Sequence, residues 1–271
     1  MTIASLPWYD FAEIRADNDA FWQRFAFWCR EEGLTDVPTQ LDRTTPYEEQ
    51  WDHPGLLLSQ ACGYDVVLAH PGKLQIVATP CYAAEGCEGC LYSSYVVVRD
   101  DSPAQSLRDL RGSRCVINTR TSHSGMNVLR AVVAPLHEEG RFFDSVTVSG
   151  SHRSSLARIR KGQADVAAID CVTHALMQQH RPDALKGTRV LSGTQRVPAP
   201  PFVTSTHRSA EDVRRLQGAL GHTLVDPEAQ DVLGRLLLEG VELSHEGYWV
   251  IEDLEQFARR NGYEEIEGSL Y

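Results

Sequence analysis

The chain has 271 residues, enough for one large domain or two lobes of ordinary size. Its 26 Lys and Arg stand against 37 Asp and Glu, a net charge of −11 at pH 7. That balance excludes nucleic acid as the main partner, because backbone-phosphate binding needs a basic face. No apolar run approaches the length of a membrane-spanning helix, so no membrane insertion is expected.

The elements alternate. A first strand is expected over 3–9, ending at Tyr9. A helix follows over 11–32, with Phe21, Phe25, Trp28 and Cys29 on one face and Gly33 closing it. The aromatic group Trp22, Phe25, Phe27 and Trp28 reads as core rather than as a ligand cage. Residues 38–42 read as extended, and 55–60 as a buried strand ending at Gln60. Another strand covers 75–79, and a Gly- and Cys-rich loop 82–91. A β-branched strand covers 93–99. Ser102-Pro103 offers an N-cap and a proline at the first position of a helix running to Gly112.

Strand 114–118 leads into Ser122-His123-Ser124-Gly125, where a helix begins, and Pro135 should kink or end that helix. Then come a strand at 145–149, a helix at 151–161, a buried strand at 164–170 and a helix at 171–179. This βαβαβα series predicts a parallel sheet flanked by helices. After the Pro-rich run 197–201, a strand covers 202–205, and helices are expected over 210–224, 227–239 and 251–260. Residues 264–267 read as a solvated tail. Two lobes are expected: one from 1–92 plus 196–271, the other from 93–195.

In an open parallel sheet, ligands bind outside the carboxyl ends of the strands. Three such ends carry polar residues: 118–125, then Ser149-Gly150-Ser151-His152, then Asp170. A helix start presents unpaired N–H groups and the positive end of the dipole, which suit an anion. Ser122 and Ser124 add hydroxyl donors. His152 or His123 can donate or carry charge near neutral pH, and Asp170 can bind a protonated oxygen or an amine. Any one of these is commonly a cap or a surface residue. Their occurrence at three strand ends favours binding of a small oxyanion.

With these motifs in place, the chain resembles the phosphate, phosphite and phosphonate-type substrate-binding proteins of ABC transporters. The likeness rests on Ser122-His123-Ser124-Gly125-Met126-Asn127, on Gly150-Ser151-His152, and on Gly162-Gln163-Ala164-Asp165-Val166-Ala167-Ala168-Ile169-Asp170. Residues 58–64, Leu-Ser-Gln-Ala-Cys-Gly-Tyr, are similar to an inter-lobe segment of that family. The resemblance implies an α/β type II periplasmic-binding-protein-like fold. Each lobe would be a mostly parallel sheet flanked by helices, with a ligand cleft between the lobes and closure by hinge motion. It implies anion contacts at Ser122, Ser124, Gly125 and His152, with His123 in place of a hydroxyl residue. Tyr9 and Gln60 would contribute from one lobe and Asp170 from the other.

The seven cysteines suit a reducing compartment better than a disulfide framework. Cys87 and Cys90 form a C-x-x-C near Cys81, open to three readings: plain thiols, a disulfide, or part of a metal site. No Cys/His nucleophile signature, nucleotide-binding glycine pattern or cofactor motif is present, so no catalytic residue, metal or cofactor is expected. The N-terminus lacks the features of a signal peptide. It predicts a cytoplasmic chain, or a periplasmic one whose leader has been removed. The leading expectation is a solute-binding protein for phosphate, a phosphonate or a phosphorylated metabolite, with an ABC permease as partner. The alternatives are a biosynthetic enzyme on the same fold, of menaquinone- or thiamine-precursor type, and a cytoplasmic ligand sensor.

Overall fold

The computed structural model describes residues 2–244 and 246–267. In chain order the elements are β1 (Ile3–Ala4), α1 (Arg15–Glu31), α2 (Tyr47–Trp51), β2 (Leu56–Gln60), β3 (Leu74–Tyr82), β4 (Leu91–Tyr92), β5 (Ser94–Arg99), β6 (Arg114–Ile117), α3 (Val128–Val133) and β7 (Ser145–Val148). There follow α4 (His152–Arg160), β8 (Val166–Asp170), α5 (Cys171–His180), β9 (Thr188–Gly193), β10 (Val197–Pro198), β11 (Phe202–Ser205), α6 (Ala210–Val225), α7 (Gln230–Arg235), β12 (Leu238–Glu242) and α8 (Trp249–Arg260). The chain forms two compact units. Of the described residues, one holds 2–83, 88–91, 198–244 and 246–247; the other holds 84–87, 92–197 and 248–267.

The first unit carries a sheet in the order β1-β2-β11-β3-β12. β1 runs parallel to β2, whereas β11 is antiparallel to both β2 and β3, and β12 is antiparallel to β3. This sheet is mixed rather than mostly parallel, because β11 and β12 return against its direction. Trp51, Leu56, Ala61, Leu74 and Val203 form a buried cluster in it. Helix α1 buries Phe21, Trp22, Phe25, Ala26 and Cys29, and packs against α6 and α7. Of the aromatic group expected in the core, Trp22 and Phe25 are buried, whereas Phe27 is exposed and Trp28 is half-buried, its indole N–H donating to Asp226 Oδ2 at 2.9 Å.

The second unit carries the order β7-β6-β8-β5-β9. β7, β6 and β8 are parallel, while β5 is antiparallel to both β8 and β9. Val97, Val116, Leu156, Ile159, Ala164, Ala167, Ile169 and Met177 make its core. The parallel trio results from the strand–helix–strand pattern, since each crossover returns the chain to the same end of the sheet.

Expectations about element bounds and lobe membership change as well. The first strand stops at Ala4: one further ladder-like bond, Ser5 N to Leu58 O at 2.9 Å, precedes Pro7, which has no N–H to donate. The stretch before Gly112 is a single 3₁₀ turn, Leu107–Leu110, and its cap is Ser106 with Asp109 rather than Ser102. The helix expected over 227–239 ends at Arg235. Leu237 turns left-handed with φ +57°, and β12 then pairs with β3. Finally, 248–267 belong with the second unit, not the first. Asn127 Nδ2 donates to Ile251 O at 3.1 Å, and the buried Arg130 pairs with Glu255 of α8.

Candidate functional site

In the second unit the loops after β6 and β7 are tied together. Ser149 N donates to Ile117 O and Gly150 N to Asn118 O, both at 2.9 Å. The loop after β6 then winds into one π turn, His123–Asn127, closed by Asn127 N to Ser122 O at 3.0 Å. Single π turns of this kind concentrate at functional sites. Ser122 caps it, its Oγ accepting from Gly125 N at 3.0 Å. Gly125 is required here: a Cβ would lie 1.9 Å from Asn118 Oδ1 and 3.2 Å from His152 Cε1. The Gly125 amide is therefore committed to Ser122, and the space left by its missing Cβ is filled by Asn118. Gly125 lets neighbouring side chains approach, instead of offering its amide to an anion as the resemblance implied.

His152 opens α4 behind the cap Ser151, whose Oγ accepts from Ser154 N at 3.1 Å. Its Nδ1 lies 3.1 Å from Ala168 O. A carbonyl only accepts, so Nδ1 carries the hydrogen, and in the neutral ring Nε2 is the acceptor. Ser124 Oγ donates to that Nε2 at 2.8 Å. Asp170 Oδ2 stands 3.4 Å from the same nitrogen, while Asp170 Oδ1 caps α5 by accepting from Thr173 N at 2.7 Å. Burial holds the His152 imidazole below its ordinary value, and the Asp170 carboxylate and the Ala168 carbonyl oppose that shift.

Ser124, His152 and Asp170 thus meet at one nitrogen. A nucleophilic triad needs the carboxylate on Nδ1 and the hydroxyl on Nε2; here Nδ1 is held by the backbone. What the arrangement supplies is a proton-accepting nitrogen beside a hydroxyl and a carboxylate.

His123 is not brought to this group. It is 2% exposed, its Nδ1 lies 3.3 Å from Asn127 Nδ2, and its ring tilts against Tyr92. Burial lowers its pKa to about 3, so it is neutral near pH 7. In the first unit, Gln60 ends β2 and its amide donates to both Tyr82 Oη and Pro200 O at 3.0 Å. Tyr9 lies in the turn after β1, its ring edge-on to Tyr82 at 5.4 Å.

Sequence reasoning missed the support beneath the π turn. Asn127 and Arg130, both buried, tie it to α8 through Ile251 and Glu255. The signal available was an arginine inside the otherwise apolar run 128–134, since a buried charge requires a partner. It also missed the pairing of Cys81 with Cys90, which leaves Cys87 outside that bond. A structural disulfide departs from the expected set of reduced thiols. The described residues contain no cluster of metal-ligating side chains, and no described helix is long and apolar enough to cross a membrane.

A family model described as "ABC transporter, phosphonate, periplasmic substrate-binding protein" matches residues 58–248. No curated protein matches the sequence. Among solved structures, a binding protein component of an ABC phosphonate transporter from Pseudomonas aeruginosa is 16% identical, with a TM-score of 0.75 over 96% of this chain and 87% of that one. PhnD1 from Prochlorococcus marinus, in complex with methylphosphonate, is 14% identical, with a TM-score of 0.75 over 97% and 98%. A Xanthomonas citri protein bound to ATP is 18% identical, with a TM-score of 0.70 over 96% and 98%. At these identities the likeness shows the fold, a two-lobed periplasmic-binding-protein type.

Proposed function

Because this chain belongs to the ABC-transporter family of phosphonate periplasmic substrate-binding proteins, we propose that the cluster at the carboxyl ends of β6, β7 and β8 holds its solute, a phosphonate or phosphate oxyanion. The family binds solutes for transporters and is not a family of enzymes. The observation that carries the assignment is the convergence of Ser124 Oγ and Asp170 Oδ2 on His152 Nε2, at 2.8 and 3.4 Å.

Without ligand, the Ser124 hydroxyl hydrogen is spent on a neutral imidazole. An arriving oxyanion favours the imidazolium. His152 then takes a proton at Nε2 and donates it, and the Ser124 O–H turns from the ring to the anion. Ser122 keeps its oxygen on the Gly125 amide while its hydrogen serves the ligand. Asp170 balances the imidazolium and accepts from a protonated oxygen or an amine of the ligand. His123 props the turn through Asn127.

The resemblance adds Tyr9 and Gln60. For Gln60 to donate to an oxyanion, one of its two present amide bonds has to open. Delivery to an ABC permease in the periplasm completes the reading. The Cys81–Cys90 bond supports it, since disulfides persist in oxidising compartments.

Calorimetry and melting with methylphosphonate and with phosphate test this. A ligand at a hundredfold excess over Kd should stabilise the protein by about 2.7 kcal/mol, with net proton uptake visible as a buffer-dependent enthalpy. Ser124→Ala and His152→Ala should each weaken binding, and His152→Ala should abolish the uptake. If neither anion changes the melting temperature, the assignment fails.

A further inference from the structure

Two thiols of the second unit, neither used by the anion cluster, lie in contact. Cys87 Sγ is 3.5 Å from Cys171 Sγ across a separation of 84 residues. Cys90, the C-x-x-C neighbour of Cys87, is already bonded to Cys81. The segment carrying Cys87 is a short strap pressed onto the start of α5. Ser93 Oγ donates to Gly86 O at 2.9 Å, and Tyr95 Oη donates to Glu85 O at 2.7 Å. Arg196 Nε donates to the same Gly86 carbonyl at 3.2 Å. Gly86, at φ +93°, is packed so closely that a Cβ there would lie 2.9 Å from Cys171 Cβ. Such contact leaves the thiols little distance to travel before they bond.

We infer that Cys87 and Cys171 are a dithiol that closes to a disulfide, fastening the strap to the first turn of α5. The oxidant is a small disulfide of the glutathione class. Cys87 is the more exposed of the two, so exchange begins there. Its thiolate attacks one sulfur of the oxidant, forming a mixed disulfide and expelling one thiolate. Cys171 then attacks Cys87 Sγ, the new S–S bond forms, and a second thiolate leaves. The cysteine sulfurs give up two electrons, the oxidant's sulfurs gain them, and the two cysteine protons end on the two released thiols. Hydrogen bonding between the two thiols lowers the pKa of Cys171 and raises that of Cys87. Entry quickens with pH, because the thiolate is the attacking form.

Asp170, which caps α5 and faces His152, directly precedes Cys171. The bond would thus fix the turn on which the carboxylate sits. The chemistry does not depend on which solute the protein binds.

The test uses the full chain, with oxidised glutathione as the probe and non-reducing peptide mapping as the readout. The expected product has lost two hydrogens, joins the Cys87 and Cys171 peptides, and retains the Cys81–Cys90 link. Cys171→Ser should stop at a glutathione adduct on Cys87. Hydrogen exchange of the amides of 171–173 should slow on oxidation of the wild type. The inference is overturned by a link from Cys87 to Cys90 or Cys81, by a stable glutathione adduct on wild-type Cys87, or by both thiols remaining open to alkylation. Unchanged exchange at 171–173 would overturn the fastening of the turn.

Discussion

Both units place polar residues at the carboxyl ends of their strands, and they use them differently. At the end of β2, Gln60 spends its amide on Tyr82 Oη and on the Pro200 carbonyl. Those partners are neutral and belong to the same unit. At the ends of β6, β7 and β8, Ser124, His152 and Asp170 share one ring nitrogen that can hold or release a proton. The first arrangement is satisfied with no charge involved. The second depends on where one proton resides, which is the property the proposed anion site uses. Polar strand ends thus differ in kind: one is settled by neutral partners, the other holds a titratable atom with competing partners.

The contrast breaks first if the support beneath the second cluster is removed. Arg130 and Glu255 are a buried pair, and Glu255 also accepts from Arg259 Nε at 3.0 Å. Glu255→Ala leaves a buried guanidinium uncompensated and should cost about 3–5 kcal/mol in denaturant unfolding. A loss of well under one kilocalorie would mean that α8 does not hold the π turn.

Gln60→Ala is the matching change in the first unit. It removes the amide that donates to Tyr82 Oη and to the Pro200 carbonyl, for a cost of about 1–3 kcal/mol. This variant should lose stability equally across pH. A pH-dependent loss would show that the two strand ends are not distinct in kind.

Acid sharpens the contrast. His123, with its pKa lowered to about 3, and His152, also lowered, bind a proton more readily unfolded than folded. Their stabilisation is therefore complete above the ordinary histidine value of about 6.5 and is lost as pH falls below it. Each contributes up to about 1.4 kcal/mol per pH unit until its folded value is reached. His123→Gln should flatten the stability profile between pH 6.5 and about 3. An unchanged slope would remove His123 as its source. The smallest effect belongs to Ser122→Ala, which deletes the cap on Gly125 N and should cost about 1 kcal/mol.

Much of this could be read from the residues. The parallel trio in the second unit follows from alternating short apolar strands and helices, whose starts are recognisable: Ser151 is the N-cap of α4, and Asp170 of α5. The motifs at 122–127, 150–152 and 162–170 carried the likeness to the family together, since any one of them alone is commonly a cap. What local pattern hid was long-range pairing. Three consecutive leucines at 236–238 continue a helical face on paper, yet Leu237 turns left-handed and β12 joins β3. The C-x-x-C spacing pointed to Cys87 and Cys90, whereas Cys90 meets Cys81 and Cys87 meets Cys171.

Strand period, caps and polar strand ends were enough to predict alternating strands and helices and to single out Ser122, Ser124, His152 and Asp170, because neighbours in the chain produce those signals. The two-lobed fold, the solute-binding character and the contact at Gly125 came from the resemblance to the family. Only the tertiary structure decided which atoms face one another. It gave Gly125 to Asn118, turned His123 toward Asn127, put Ser124 and Asp170 on one nitrogen of His152, and moved α8 to the second unit. Proton position and thiol pairing depend on separations of a few tenths of an ångström between groups distant in the chain. No local periodicity encodes those separations.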